Sequence, residues 1–80
     1  MNILAEVVKA LSEASDLPVA ELPADASLES LGLSSIHVMS AYVSLERVLD
    51  ISFTGGDLRY APTDTVRELA AAIGGIHAAR

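Results

Sequence analysis

The stretch Leu31-Gly32-Leu33-Ser34-Ser35-Ile36 places a glycine turn and two neighbouring hydroxyl groups before residues 36–49, which contain no glycine or proline. Apolar residues recur in that run at helical spacing, on the face formed by Val38, Tyr42, Leu45 and Leu49. We therefore predict a helix from about Ser35 to Leu49 with this face in the core. The first N–H groups and the dipole of a helix favour an anion, so a serine here can carry a phosphodiester. The alternative is a serine that only caps the helix.

The composition indicates one small acidic domain. The 80 residues suffice for a single hydrophobic core, and Met1 predicts a free-standing protein. Eleven acidic against five basic residues give a net charge of −6, which disfavours nucleic acid as a partner. The absence of cysteine excludes disulfides, a thiol nucleophile and a cysteine-bound metal, and it fits the cytoplasm. Because no membrane span or signal peptide is evident, we expect a cytoplasmic, monomeric domain over residues 1–80 without a membrane partner.

A first helix and a long loop precede the quoted stretch. Asn2 can cap a helix that ends at Asp16-Leu17-Pro18, since proline disfavours a helical residue before it. The apolar residues of this helix recur at intervals of three and four, namely Ile3, Val7, Ala10, Leu11 and Ala14. The loop from about Pro18 to Ser34 also carries regularly placed apolar residues, namely Val19, Leu22, Leu28 and Leu31. We expect these residues to anchor the loop across the helical core, and we interpret its length as functional.

Several shorter signals follow the second helix. Gly55-Gly56 predicts a turn, and the four residues after it are long enough for one short helical turn only. Thr65 and Glu68 have the spacing of a capping box, which predicts the start of a last helix. We expect that helix to stop at Gly74-Gly75 and to leave a flexible tail at about 75–80. These signals together predict an all-α domain of three long helices and one short helix.

The second helix also has an apolar strip beside the serines. Ile36, Met39 and Val43 recur at spacings of three and four residues, off the core face. One interpretation is that the long loop covers this strip, which then belongs to the core. The other is that the strip is exposed and a partner protein docks on it. The candidate docking residues are therefore Ile36, Met39, Val43 and Ser34.

Segments along nearly the whole chain resemble the acyl and peptidyl carrier proteins, small four-helix bundles that bear a phosphopantetheine arm. These segments are the anchored loop, Leu28-Glu29-Ser30-Leu31-Gly32-Leu33 before the serines, Ile36 after them, Ile51-Ser52-Phe53, and Pro62-Thr63-Asp64-Thr65-Val66-Arg67-Glu68-Leu69. In that family the modified serine follows an aspartate or histidine and precedes leucine or isoleucine. The resemblance therefore implies attachment at Ser35, with Ser34 at the usual aspartate position.

The resemblance implies a carrier that performs no catalysis of its own. A separate phosphopantetheinyl transferase would attach 4'-phosphopantetheine from coenzyme A to Ser35, and its thiol would hold acyl or aminoacyl groups as thioesters. The implied partners are this transferase and acyltransferase, adenylating or ketosynthase-type enzymes. The sequence contains no recognisable catalytic or metal-binding constellation, and we interpret His37 and His77 as single surface histidines.

The second helix departs from the pattern of fatty-acid-synthesis carriers, which typically have several acidic residues along its exposed face. Only Glu46 and Asp50 are acidic here, so docking to basic partner surfaces should be weaker and apolar contacts more important. This departure favours a discrete carrier of polyketide or nonribosomal peptide biosynthesis. A housekeeping acyl carrier of fatty acid synthesis and an unmodified helical interaction module are the alternatives.

Overall fold

Three α-helices form the protein in a computed structural model that describes residues 1–80. Helix α1 spans Ile3–Ser15, α2 spans Ser35–Leu49 and α3 spans Val66–Ala79. A short 3-10 helix, Val19–Glu21, lies in the loop between α1 and α2. The chain has no β-strand, and the prediction of an all-α domain is confirmed.

The helices begin where the sequence predicts caps. The side chain of Asn2 accepts a hydrogen bond from the Ala5 N–H at 3.0 Å, which satisfies one of the free donors at the start of α1. Thr65 and Glu68 form the predicted capping box at the start of α3, with bonds of 2.9 and 3.1 Å. Helix α1 ends at Asp16, which adopts a left-handed conformation with φ of 61°. The predicted ends of α1 and α2 are therefore correct.

The core is apolar and centres on α1, which packs against both α2 and α3. It contains 15 buried residues, none of them charged. The four residues predicted on the core face of α2 are all buried, namely Val38, Tyr42, Leu45 and Leu49. The ring of Tyr42 packs edge-on against Phe53, with 4.9 Å between centroids, and so joins α2 to the segment that follows it.

The long loop is anchored across this core, although one predicted anchor is wrong. Leu22 and Leu28 are buried and Leu31 packs partly against the core, whereas Val19 is 55% exposed. Val19 begins the short 3-10 helix, whose single turn buries none of its own residues. Leu33, which is 1% exposed, provides the further anchor directly before the serines.

The short helix predicted directly after Gly55-Gly56 is not formed. Asp57 closes a turn instead, in which its N–H donates to the Thr54 carbonyl at 3.0 Å. The residues that follow make no helical hydrogen bond. A single helical turn is unfavourable to nucleate, and here Arg59 pairs with Asp64 rather than continuing a helix.

The last helix is longer than predicted. Helix α3 does not stop at Gly74-Gly75 but continues to Ala79, so the segment interpreted as a flexible tail is largely helical. Neither glycine has the positive φ that ends many helices. Gly74 instead lies against α1, where a Cβ in its place would stand 3.7 Å from the Ile3 side chain. Gly74 thus lies in ordinary contact with α1, and the helix continues through both glycines.

The carboxylate of Asp57 joins the turn after α2 to the end of α3. It accepts hydrogen bonds from the N–H and hydroxyl of Thr54 at 2.8 and 3.1 Å, and it pairs with Arg80 at 2.8 Å. The Thr54 N–H, its hydroxyl and the Arg80 guanidinium lower the pKa of Asp57 below its ordinary value of 3.8. Because the folded pKa is lowered, the ionised carboxylate stabilises the fold above pH 3.8, and this contribution is lost as the pH falls through the folded pKa.

We expect Asp57→Asn to unfold at a lower temperature than the wild type at neutral pH and to approach it below the folded pKa of Asp57. Thermal unfolding followed by circular dichroism across this pH range measures the difference. Asp50→Asn is the matched control, because Asp50 is exposed and an asparagine tolerates its left-handed backbone. A constant gap between Asp57→Asn and wild type at every pH would contradict the role given to the carboxylate.

Candidate functional site

The turn before α2 is held by its backbone. Gly32 has a φ of +73°, a conformation that other residues adopt only at a cost. Its N–H donates to the Glu29 carbonyl at 3.1 Å, and the next N–H, that of Leu33, donates to the Leu28 carbonyl at 3.0 Å. Since the side chain of Leu33 is buried, the chain is fixed immediately before it reaches the two serines.

The two serines differ in what their hydroxyl groups contact. Ser34 is the extended N-cap residue of α2, and its Oγ lies 3.2 Å from Nδ1 of His37. Ser35 is the first residue of α2, is exposed, and has a hydroxyl without a hydrogen-bond partner in the chain. Of the two exposed hydroxyl groups, only that of Ser35 has no side-chain neighbour within hydrogen-bond distance.

The imidazole of His37 belongs to this site, which the sequence did not indicate. Its Nδ1 accepts a hydrogen bond from the backbone N–H of Ser34 at 3.1 Å. This is the contact that a Glu or Gln makes at the same position of a common capping box. The Ser-x-x-Glu/Gln pattern is absent, so spacing alone did not reveal this role of His37.

A hydrogen bond from the segment between α2 and α3 also holds the turn before α2. The hydroxyl of Tyr60 donates to the carbonyl of Leu33 at 2.8 Å. The two residues are 27 positions apart, and no local pattern relates them. The residue before the serines is therefore held by its buried side chain, by its N–H and by its carbonyl.

The apolar strip on α2 is neither wholly core nor wholly exposed. Ile36 is 77% and Val43 is 58% exposed, whereas Met39 between them packs partly against the core. The long loop does not cover the first two side chains. The strip thus presents two free apolar side chains on the helix that begins with Ser35.

The exposed face of α2 has little negative charge. Its first turn contains no acidic residue. The carboxylate of Glu46 accepts a hydrogen bond from the Phe53 N–H at 2.9 Å, and Asp50 lies at the C-terminal cap. Arg47 is exposed and takes part in none of the chain's three ion pairs. The middle of this face is therefore apolar and polar rather than anionic.

The chain contains no metal site, cavity or membrane-spanning helix. No three histidine, aspartate or glutamate side chains are grouped so that they could hold a metal ion. No cavity opens in the bundle. None of the helices has the length and apolar character needed to cross a lipid bilayer. The start of α2 is therefore the region to which the geometry draws attention.

A family model matches most of the chain, including the start of α2. The family model described as the phosphopantetheine attachment site matches residues 5–73. The chain therefore belongs to the phosphopantetheine-binding carrier protein family, and the resemblance stated from the sequence is confirmed. Searches of curated proteins and of solved structures found no significant match.

Membership of the family defines the group that the chain binds. Carriers of this family hold 4'-phosphopantetheine covalently, are in general non-catalytic, and interact with phosphopantetheinyl transferases and biosynthetic enzymes. An exposed serine with a free hydroxyl on the first turn of a helix fits an attached phosphodiester, because the N–H groups there favour negative charge. The residues present are thus compatible with the group.

Proposed function

We propose that the protein is a carrier of polyketide or nonribosomal peptide biosynthesis and that Ser35 is its attachment residue. The observation that carries the assignment of the residue is the contrast between the two serines. The Ser34 hydroxyl lies beside the His37 ring, whereas that of Ser35 is exposed and unpaired. The Ile36 side chain follows directly, as the family pattern requires.

The backbone of α2 prepares this position for an anion. The first hydrogen bond of the helix joins the Val38 N–H to the Ser34 carbonyl at 3.1 Å, so the N–H groups of Ser35 and Ile36 have no backbone partner. These donors and the helix dipole favour a phosphodiester on Ser35 by about 0.3–1 kcal/mol. The absence of an acidic side chain in the first turn removes a source of repulsion.

The chain itself provides a tethering point and a docking surface. When attached, phosphopantetheine supplies the thiol on which an acyl or aminoacyl group is carried as a thioester. Attachment at one fixed residue replaces free diffusion of the cargo by a high local concentration at each partner enzyme. The exposed side chains of Ile36 and Val43 lie on the same helix and would contact those enzymes.

The character of α2 supports specialised metabolism over fatty acid synthesis. Carriers that dock on basic surfaces need several carboxylates on this helix, but α2 offers only Glu46, whose Oε2 accepts the Phe53 N–H, and Asp50 at its C-terminal cap. The two most exposed apolar residues of the helix, Ile36 and Val43, lie beside the attachment position and along its outer face. A surface of this kind binds through burial of apolar area and is little affected by salt.

Two experiments test the proposal in order. Incubation of the purified chain with coenzyme A, Mg²⁺ and a broad-specificity phosphopantetheinyl transferase should add the mass of one phosphopantetheine. Peptide mapping should place that group on Ser35. The protein that carries phosphopantetheine is then offered to adenylating enzymes with amino acids, to polyketide acyltransferases with malonyl-coenzyme A, and to the malonyl transferase of fatty acid synthesis with the same substrate. A lack of modification would indicate the unmodified interaction module instead, and transfer only by fatty-acid-synthesis enzymes would indicate the housekeeping carrier.

If partner enzymes dock on the exposed strip, a charge placed on it should slow the attachment of phosphopantetheine by the transferase. Val43→Glu should lower kcat/KM for modification by the transferase about ten-fold, which corresponds to about 1.4 kcal/mol, because a carboxylate must then be desolvated at an apolar contact. Initial rates from intact-mass time courses measure the effect. Met39 is a poorer probe, since it also packs against the core.

Val48→Glu is the matched control for this change. Val48 is 44% exposed and lies five residues further along α2, about 140° around the helix from Val43. Val48→Glu adds the same charge to the same helix but away from the strip. The rate of phosphopantetheine attachment should therefore stay near that of the wild type. Equal rates for both variants and the wild type would show that the strip is not an interface.

A further inference from the structure

We infer that His37 is a positioning residue for the modification of Ser35. Resting on the function proposed above, this inference assigns a specific task to a side chain that the family pattern leaves unassigned. The His37 ring folds back over the N-cap of α2, so that Nδ1 lies 3.1 Å from the Ser34 nitrogen and 3.2 Å from the Ser34 Oγ. A single ring nitrogen thus faces both donors of the serine that is not modified.

This geometry determines which nitrogen of the ring carries the proton. The backbone N–H of Ser34 can only donate, so Nδ1 must offer its lone pair. The ring is then the tautomer with hydrogen on Nε2. The single lone pair of Nδ1 accepts from the backbone N–H, and the Ser34 Oγ lies 3.2 Å from the same atom as a close neighbour. The adjacent Ser35 hydroxyl is exposed and has no partner in the chain.

The contact has one consequence for the transferase reaction. It fixes the backbone at Ser34, and the first turn of α2, which begins at the next residue, therefore presents Ser35 in one orientation. His37 does this as the third residue of a capping box, because its side chain accepts the hydrogen bond of the N-cap N–H.

Three variants of the full chain separate positioning from mere folding. His37→Ala removes the acceptor, whereas His37→Gln restores a side-chain oxygen at the position where glutamine normally completes a capping box. His77→Ala is the matched control, since it makes the same substitution on α3. Each protein is modified with coenzyme A and the broad-specificity transferase, kcat and KM are determined, and peptide mapping locates the group. Thermal unfolding reports the fold of each variant.

We expect His37→Ala to lower kcat/KM about five-fold, a size set by the usual strength of a helix cap, while His37→Gln and His77→Ala stay near wild type. The ¹⁵N spectrum of the wild-type His37 ring should show an unprotonated Nδ1 and a protonated Nε2. Wild-type rates for a folded His37→Ala, or hydrogen on Nδ1 in the wild type, would overturn the inference and leave the carrier function intact. Failure of the wild type to accept phosphopantetheine would instead overturn the carrier proposal itself. Should His37→Ala not fold, the ring tautomer and the rate of His37→Gln still decide.

Discussion

Replacing Ser35 by alanine is expected to abolish phosphopantetheine attachment completely. The substitution removes the oxygen that we propose is esterified, and no other hydroxyl stands at the first position of α2. The Ser34 hydroxyl lies beside His37 and one residue away, outside the first turn of α2. Intact mass after incubation with the transferase and coenzyme A should therefore show only the unmodified chain.

Ser34→Ala is the matched control for this prediction, because it deletes the same hydroxyl from the adjacent residue. It should still accept one phosphopantetheine, although the loss of an N-cap side chain lowers stability by about 0.5–2 kcal/mol. Alanine is a good helix former at position 35, so the helix content of Ser35→Ala should equal that of the wild type. Persistent modification of Ser35→Ala, with the group mapped elsewhere, would refute the assignment of the attachment residue.

Leu45→Ala is expected to cause a large loss of stability. Leu45 is 1% exposed and belongs to the core face of α2, which packs against α1. Its truncation removes buried apolar area and leaves a cavity, a change that costs about 2–5 kcal/mol. Domains of this size are stable by only about 5–15 kcal/mol, so a substantial part of the free energy of unfolding would be lost.

Urea unfolding followed by far-ultraviolet circular dichroism measures this loss through the shift of the midpoint. Val48→Ala is the control, because the same helix holds Val48 at 44% exposure. It should change the free energy of unfolding by no more than about 0.5 kcal/mol. A similar midpoint for the two variants would mean that Leu45 is not part of a well-packed core.

The local sequence pattern was sufficient to predict a helix where the residues that begin and end it lie within or next to that helix. Helix α2 runs from Ser35 to Leu49 as predicted, because its apolar spacing, the glycine turn before it and its buried face agree. The capping residues Asn2 and Thr65 were also recognisable, since a cap depends on residues within one turn. The attachment position at Ser35 came from the resemblance to the family and not from the pattern alone.

The differences arose where conformation depends on distant partners. Gly74-Gly75 was interpreted as a helix end, but α3 continues to Ala79, and Gly74 lies against Ile3 of α1. Such a contact joins opposite ends of the chain and leaves no local trace. The segment after α2 is likewise non-helical, and Tyr60 donates to a carbonyl 27 residues earlier.

The exposure of Ser34, Ser35, Ile36 and Val43 agrees with the predicted site, whereas the contacts that hold the turn before α2 could not be predicted. Ile36 and Val43 are exposed as the docking interpretation requires, whereas Met39 contributes to the core as well. The role of His37 escaped prediction because histidine is an unusual third residue for a capping box. Periodicity shows which face a residue occupies, and side-chain hydrogen bonds of this kind are seen only in the folded chain.

The triple restraint of Leu33 determines how a cargo attached at Ser35 would move. The side chain of Leu33 is buried, its N–H donates to the Leu28 carbonyl and its carbonyl accepts from the Tyr60 hydroxyl. The backbone at Leu33 is therefore held in place on three sides. All swing would then come from the rotatable bonds of the prosthetic group and from tumbling of the whole domain. While the domain stays docked on one partner, the reach of the cargo would accordingly be limited to the span of that group, and any longer transfer would need movement of the whole domain.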